Sequence, residues 1–216
     1  MAGLIEKDLR IIFQRKQTLL LFLLIGAFIA FTSEGSFIIG WLSIIGVTLA
    51  TGTISYDELD NGMIFLLTLP IDKKTYVKEK YLFSLLISVV AWLISVVLYF
   101  GAGFYKGDIN INMGIVECLT FIPLVFVVLA VMLPIEIKYG SQKSRVILFV
   151  VIGFICVSVV IGSKIIESAS MSLEAFLSFL GNVPMQTILG IVVLISIVVL
   201  VVSYVICQSI MKKKEV

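Results

Sequence analysis

The side chains that most often perform catalysis are missing from this chain or stand too far apart to act together. There is no histidine, which excludes histidine-dependent triads, histidine-ligated zinc and histidine proton switches. The three cysteines, Cys118, Cys156 and Cys207, each lie inside an apolar run and far from one another. Such cysteines are typical of buried small hydrophobes, not of disulfides or metal sites. We therefore expect no catalytic residue and no metal ligand.

Nucleotide chemistry is also absent from the sequence. The phosphate-binding pattern G-x-x-x-x-G-K-[ST] does not occur, and the one Gly-Ser-Lys, at 162–164, has Val157 where the pattern needs glycine. The chain is not expected to be an enzyme, nor to hold a cofactor of its own.

Hydroxyl and small side chains recur inside two of the apolar runs. They permit close helix approach and interhelical hydrogen bonds worth about 0.6 kcal/mol each. We favour packing, including a possible dimer seam, over lining a transport path, although the same residues would serve both. The candidates are Thr48, Thr51, Ser55, Ser84, Ser88 and Ser95.

The elements that position these residues are predicted to be transmembrane helices. Hydrophobic residues make up 60% of the 216, mean hydropathy is +1.17, and the 14% of charged residues gather between long apolar runs. About 20 apolar residues span a bilayer. The sequence predicts an all-α, polytopic membrane protein with one transmembrane domain over 1–216. Its six predicted spans are 18–32, 37–55, 82–104, 115–133, 146–163 and 188–207.

The basic residues indicate how these spans are oriented. Of the 16 lysines and arginines, 14 lie before the first span, after the second, after the fourth and after the sixth, which leaves only Lys106 and Lys164 for the other face. Positive loops stay in the cytoplasm. We expect both termini to be cytoplasmic and the number of spans to be even. No basic patch interleaved with aromatics indicates a nucleic-acid partner.

Two segments outside the spans have amphipathic patterns. Residues 1–17 predict a helix on the membrane surface, with Leu4, Leu9 and Ile12 at helical spacing. An extension of the first span into water explains the pattern equally well. A secretory signal, with 18–31 as its apolar core, is a weaker alternative. Residues 164–187 predict a short amphipathic or re-entrant helix on the outer face that ends at Gly181-Asn182.

The segment 56–81, between the second and third spans, is the part of the sequence that indicates a function. Asp57, Glu58 and Asp60 suit the first turn of a short helix, Pro70 ends it, and Asp72 can cap a helix that continues into the third span. Leu59, Met63, Leu66 and Leu67 form its apolar stripe. Two helices separated by a break could transmit a movement of a cytoplasmic partner into the membrane. An interfacial helix without a partner would have the same pattern.

The run Tyr-Asp-Glu, then Asn-Gly, then Leu-Thr-Leu-Pro-Ile-Asp-Lys-Lys, then Tyr-Val and Lys80-Tyr81 resembles the loop of type-2 ATP-binding-cassette (ABC) permeases. It looks closest to the small six-span permeases of Gram-positive bacteria that export phenol-soluble modulins and related amphipathic peptides. The family usually has serine at the position of Thr68, and serine or threonine at that of Asp72. The motif covers about 25 residues, whereas the span pattern covers the whole chain.

The resemblance implies that the loop is a coupling helix that docks on a separate ATPase. It also implies a homodimer of this chain with two ATPase subunits that bind ATP and Mg, in the plasma membrane of a bacterium. The ATPase-coupling residues implied are Tyr56, Asp57, Glu58, Asn61, Gly62, Leu66, Leu67, Thr68, Leu69, Pro70, Lys73 and Lys74.

The predicted function is therefore the permease subunit of an ABC exporter for amphipathic or hydrophobic peptides. No span has a charge at its centre, which argues against a proton-coupled carrier. A membrane protease of the glutamate type would need paired acidic residues inside the spans, which are also missing. The alternative is a membrane scaffold or immunity protein that binds a toxic peptide without moving it.

Overall fold

The described structure is built from helices alone. The computed structural model describes residues 2–32, 36–58, 62, 72–107, 111–168 and 185–213. The helices are α1 Ala2–Gln14, α2 Lys16–Thr32, α3 Phe37–Thr51, α4 Thr53–Glu58, α5 Lys73–Lys106, α6 Ile111–Ser168 and α7 Met185–Lys213. All six predicted apolar runs fall within these helices, which confirms the all-α prediction for the described residues.

Four helices of the described chain are long and apolar enough to cross a membrane: Phe37–Glu58, Lys73–Lys106, Ile111–Gly140 and Gln186–Lys213. The first predicted span lies in α2, which has only 17 residues. It reaches spanning length only together with α1, from which it is bent by 69°. The fifth predicted span falls in the second half of α6. Six crossings stay a prediction.

The bend between α1 and α2 separates two different kinds of helix. α1 turns Leu4, Asp8 and Ile12 inward, while Glu6 and Arg10 are exposed and paired with each other. α2 is almost uniformly apolar. α1 is therefore a separate helix packed on the bundle by one face, and not a straight extension of the first span.

The centre of the bundle is α3, which packs mainly against α5 and also against α6. In its spanning window 61% of the helix is buried, against 11% for α7. Small residues permit this packing: a Cβ added at Gly46 would lie 2.4 Å from the Cβ of Ala91 on α5. α7 is tied to its neighbours by Ser203, which lies 2.7 Å from the Tyr81 hydroxyl and donates to the Ala130 carbonyl.

α6 is interrupted at Gly140, whose φ of 76° lies in the left-handed region that glycine adopts most readily. Pro123 and Pro134 precede the break, and each removes one backbone donor from the helix. A Cβ at Gly140 would lie 2.7 Å from Glu58 Oε2. The break in α6 therefore lies directly against the end of α4.

Candidate functional site

Ionisable side chains from three helices meet at the end of the bundle where α4 ends and α5 begins. We call this group the charge cluster. Its members are Lys7 and Asp8 of α1, Thr53 and Asp57 of α4, and Tyr76 and Lys80 of α5. All except Lys7 are buried. The two helices that flank segment 59–71 are thus joined to each other and to α1.

Lys80 lies at the centre of the charge cluster. Its side chain is completely buried, and its Nζ donates to the Asp8 carboxylate and lies 2.8 Å from Asp57 Oδ2. A further hydrogen bond of 3.2 Å runs from Lys80 Nζ to the Thr53 hydroxyl. One ammonium group therefore contacts α1 and α4 from α5.

Asp57 completes the connections from the end of α4. Its carboxylate pairs with Lys7 Nζ as well as with Lys80, and accepts a hydrogen bond of 3.0 Å from the Tyr76 hydroxyl. Only 4% of the Asp57 side chain is exposed. Both of its oxygens are engaged within this chain, and the three donors come from α1 and α5.

The charges of this cluster balance, with two carboxylates and two ammonium groups. Removing an ion from water costs several kcal/mol, and attraction offsets that cost only when geometry is good and the remaining hydrogen bonds are made. The cluster therefore contributes less to net stability than to specificity. Its ion pairs and hydrogen bonds form together in only one relative arrangement of α1, α4 and α5.

Glu79, next to Lys80 on α5, is the exception to this balance. Its side chain is 1% exposed, and neither carboxylate oxygen has a hydrogen-bond partner among the described residues. It lies within electrostatic range of Lys80, Asp8, Lys7 and Asp57. The neighbourhood thus holds one more acidic group than it has cations to pair.

The predicted coupling residues fall partly within this site. Tyr56 faces Arg15, whose guanidinium carbon lies 4.9 Å from the ring centre, and Glu58 lies against Gly140. Lys73 and Lys74 form the first turn of α5. Asp72 occupies the N-cap position, but its side chain makes no capping hydrogen bond. Asp57 and Glu58 end α4; they do not begin a new helix.

Gly62 is described as a single helical position. The remaining predicted coupling residues lie outside the described residues: Asn61, Leu66, Leu67, Thr68, Leu69 and Pro70.

The predicted polar span residues separate into two groups. Ser84, Ser88 and Ser95 are fully buried inside one chain, and the latter two donate to carbonyls of their own helix at 2.6 Å. Thr51 is likewise buried and bonds to the Val47 carbonyl. Thr48 and Ser55 instead line a cavity between α1, α2 and the α3–α4 unit.

Of the charge cluster, sequence reasoning predicted only Asp57 as a site residue and missed the other five: Lys7, Asp8, Thr53, Tyr76 and Lys80. A signal for Asp8 was present, because it lies midway between Leu4 and Ile12 on the inward face of α1. The sequence places Lys80 among the cytoplasmic charges and at the end of the motif that resembles the ABC permease loop, and neither feature predicts its burial. Its pairing with Asp8 spans 72 residues of sequence, and helical periodicity carries no information over that distance.

An apolar helical bundle with a buried charge cluster at one end is the architecture of a polytopic membrane protein. The model of the ABC-2 family transporter protein matches residues 3–212, and the chain belongs to that family. It is thus an integral membrane protein and a permease subunit of an ABC transporter, the component that works with an ABC ATPase. No curated protein and no solved structure matches the sequence.

Proposed function

We propose that this chain is the membrane subunit of an ABC exporter that moves amphipathic or hydrophobic peptides out of a bacterial cell. Two copies form the membrane unit in the plasma membrane, with their termini in the cytoplasm, and two ATPase subunits bind ATP and Mg. The observation that carries the proposal is the charge cluster, because it joins both helices that flank the coupling segment.

The cluster gives a physical route from the partner into the membrane. A displacement of segment 59–71 acts on the end of α4 and the beginning of α5. Since Asp57 is bonded to Tyr76 and Lys80, these two helix ends move as one body. The ion pair between Asp8 and Lys80 extends that body to α1. α4 continues α3, and α5 is a single 34-residue helix, so the displacement reaches the bundle interior.

In this proposal the coupling residues have two roles. Asp57 acts inside the chain, through the charge cluster. The apolar side chains Leu66, Leu67 and Leu69 form the knob that contacts the ATPase, and Lys73 and Lys74 form a basic rim around it. Both lysines are at the start of α5, directly after the segment.

A peptide substrate is supported by what the described spans contain. The buried charges of the described residues are gathered at one end of the bundle, where Asp8, Asp57 and Lys80 pair with one another, while the described spans carry mainly apolar and hydroxyl groups. Such a surface suits an amphipathic solute better than a small ion, which needs fixed polar ligands along its path. Selective movement of an inorganic ion would contradict the proposal.

The deciding experiment is ATP-driven transport in inside-out vesicles that contain this chain and its co-purified ATPase. A fluorescent amphipathic helical peptide should accumulate inside the vesicles with ATP. It should not accumulate when the P-loop lysine of the ATPase is replaced. Equal accumulation with and without a working ATPase would overturn the exporter.

Coupling is tested by Leu67→Asp and Glu58→Lys. Both variants should insert in the membrane and retain the partner's ATPase activity while peptide transport is lost. Glu6→Lys is the matched control, because it makes the same charge change on the exposed face of α1. Unchanged transport in both coupling variants would remove this segment from the mechanism.

The membrane scaffold or immunity protein remains the second candidate, and the same assay separates it. It would bind the peptide, and protect cells from it, to the same extent whether or not the ATPase can hydrolyse ATP.

A further inference from the structure

Two adjoining cavities lie between α1, α2 and the central helices. The first, of about 360 Å³, lies where α1 and α2 meet α4, and the second, of about 270 Å³, continues between α2, α3 and α5. Ile12, Leu19 and Leu49 line both. They therefore form one elongated groove, which we call the α1–α2 groove.

The groove is more polar at one end than at the other. Its first limb is lined by aliphatic side chains together with hydroxyl groups, among them those of Thr18, Thr48 and Ser55. The second limb is lined by aliphatic and aromatic side chains and two small residues, Gly46 and Ala91. A ligand that fills both limbs must have a polar head and an apolar tail.

The charge at the polar end has a definite sign. Arg15 is the one charged residue that lines either limb, and no carboxylate among the described residues pairs with it. Its guanidinium lies over the Tyr56 ring, 4.9 Å from the ring centre. Such a contact uses the face of the guanidinium, and the N–H edge of an arginine matches two phosphate oxygens.

The position of Arg15 in the chain is one from which a basic side chain reaches the lipid headgroups. It occupies the bend between α1 and α2, and α2 begins at Lys16 as an apolar helix of 17 residues. Arginine at the end of an apolar helix reaches the interface, where anionic lipids concentrate. The phosphate would lie at the bend and the acyl chain along α2.

We propose that the α1–α2 groove binds one anionic phospholipid per chain, with its phosphate at Arg15 and one acyl chain in the apolar limb. The inference does not depend on the exported substrate. Thr53 lines the polar limb and also bonds to Asp8 in the charge cluster. The bound headgroup therefore lies beside the residues that join α1, α4 and α5.

Native mass spectrometry of the purified complex in neutral detergent tests the site. Dioleoyl phosphatidylglycerol should bind at one molecule per chain, and more tightly than dioleoyl phosphatidylcholine, which has the same tails. Arg15→Gln should weaken phosphatidylglycerol binding about tenfold. Lys16→Gln, which removes the neighbouring exposed charge, should leave it unchanged. Equal binding of the two lipids, or equal effects of the two variants, would overturn the proposal.

Two further sets of variants distinguish loss of the lipid site from misfolding. Arg15→Lys keeps the charge without the planar fork and should lose a smaller part of the affinity, which guards against misfolding of Arg15→Gln. Leu19→Trp, at the junction of the limbs, should reduce phosphatidylglycerol binding, and Leu20→Trp, on the exposed side of α2, should not. If glycerol phosphate without tails, or an amphipathic peptide, occupies the groove in place of the lipid, the assignment is wrong.

Discussion

The two ends of this bundle are held together by different forces. At one end is the charge cluster, and at the other is a group that we call the distal apolar cluster: Ala30, Ile38, Ile39, Ala102 and Cys118. The members of this cluster are uncharged, and one polar contact that reaches it is the 3.0 Å hydrogen bond from Trp92 Nε1 to the Cys118 carbonyl. The hydrogen-bonded ion pairs of the charge cluster require a fixed geometry, whereas the apolar packing of the distal apolar cluster tolerates small rotations of the helices.

This difference bears on how the bundle could move. Packed apolar surfaces can slide slightly without loss of a specific partner, because dispersion contacts are many and individually weak. A buried ion has no such freedom, since a lost partner leaves an unpaired charge. We therefore expect displacements at the coupling segment to change the arrangement at the charge cluster in discrete steps, with the distal apolar cluster as the pivot.

The largest expected effect comes from removing the central cation. Lys80→Met leaves Asp8 and Asp57 with one ammonium group between them, and should destabilise the chain by about 3–5 kcal/mol. Unfolding in mixed micelles of mild detergent and SDS measures this. Lys78→Met, two residues away and exposed, is the matched control and should change stability by less than about 0.5 kcal/mol. Equal losses in both variants would contradict the cluster.

A double variant sharpens the same test. Asp8→Leu with Lys80→Met removes one acid and one base and leaves the pair of Lys7 with Asp57. The two changes should be non-additive, with the double variant more stable than Lys80→Met alone, because the remaining charges balance again. Additive losses would mean that Asp8 and Lys80 do not interact energetically.

A smaller effect is expected at the distal apolar cluster. Ile39 is fully buried, and Ile39→Ala should cost about 2 kcal/mol through the cavity that it leaves. Below its melting temperature this variant should keep its transport per ATP hydrolysed. Ile44→Ala, at a position that is 40% exposed, is the control and should leave both stability and transport unchanged. Loss of transport per ATP hydrolysed in Ile39→Ala would show that the distal apolar cluster takes part in coupling and is not only a pivot.

The sequence predicted the helices well, because each apolar run is a local signal. All six runs lie within helices, and the expected continuation from Asp72 through Tyr81 into the third span is the single helix α5. The predicted coupling helix falls mostly on residues 59–71, which except for Gly62 lie outside the described residues, and its coupling role stays a prediction. Family membership over residues 3–212 confirms the permease subunit.

The charge cluster could not be predicted in the same way. The sequence places Lys7 on the polar face of a surface helix and Lys80 among the cytoplasmic charges between the second and third spans. Most lysines are solvated, yet Lys80 is completely buried. Whether a lysine near the end of a span is solvated or paired depends on which helix packs against it. Here that helix is α1, and its 69° bend from α2 brings Asp8 to Lys80.

The smallest expected effect concerns Glu79, the one acidic group beside the cluster without a hydrogen-bond partner among the described residues. Glu79→Gln keeps the side-chain volume and removes a negative charge. Lys7 and Lys80 already pair with Asp8 and Asp57, so among the described residues of the cluster no cation is left to pair with Glu79. Because an unpaired buried charge is costly, this variant should be as stable as the parent or more stable by about 1 kcal/mol. Asp8→Asn is the comparison, since it makes the same chemical change at a carboxylate bonded to Lys80, and it should destabilise. A melting temperature that falls equally in both variants would show that the Glu79 carboxylate is paired in the membrane. The charge cluster would then include Glu79 in addition to its two acidic and two basic side chains.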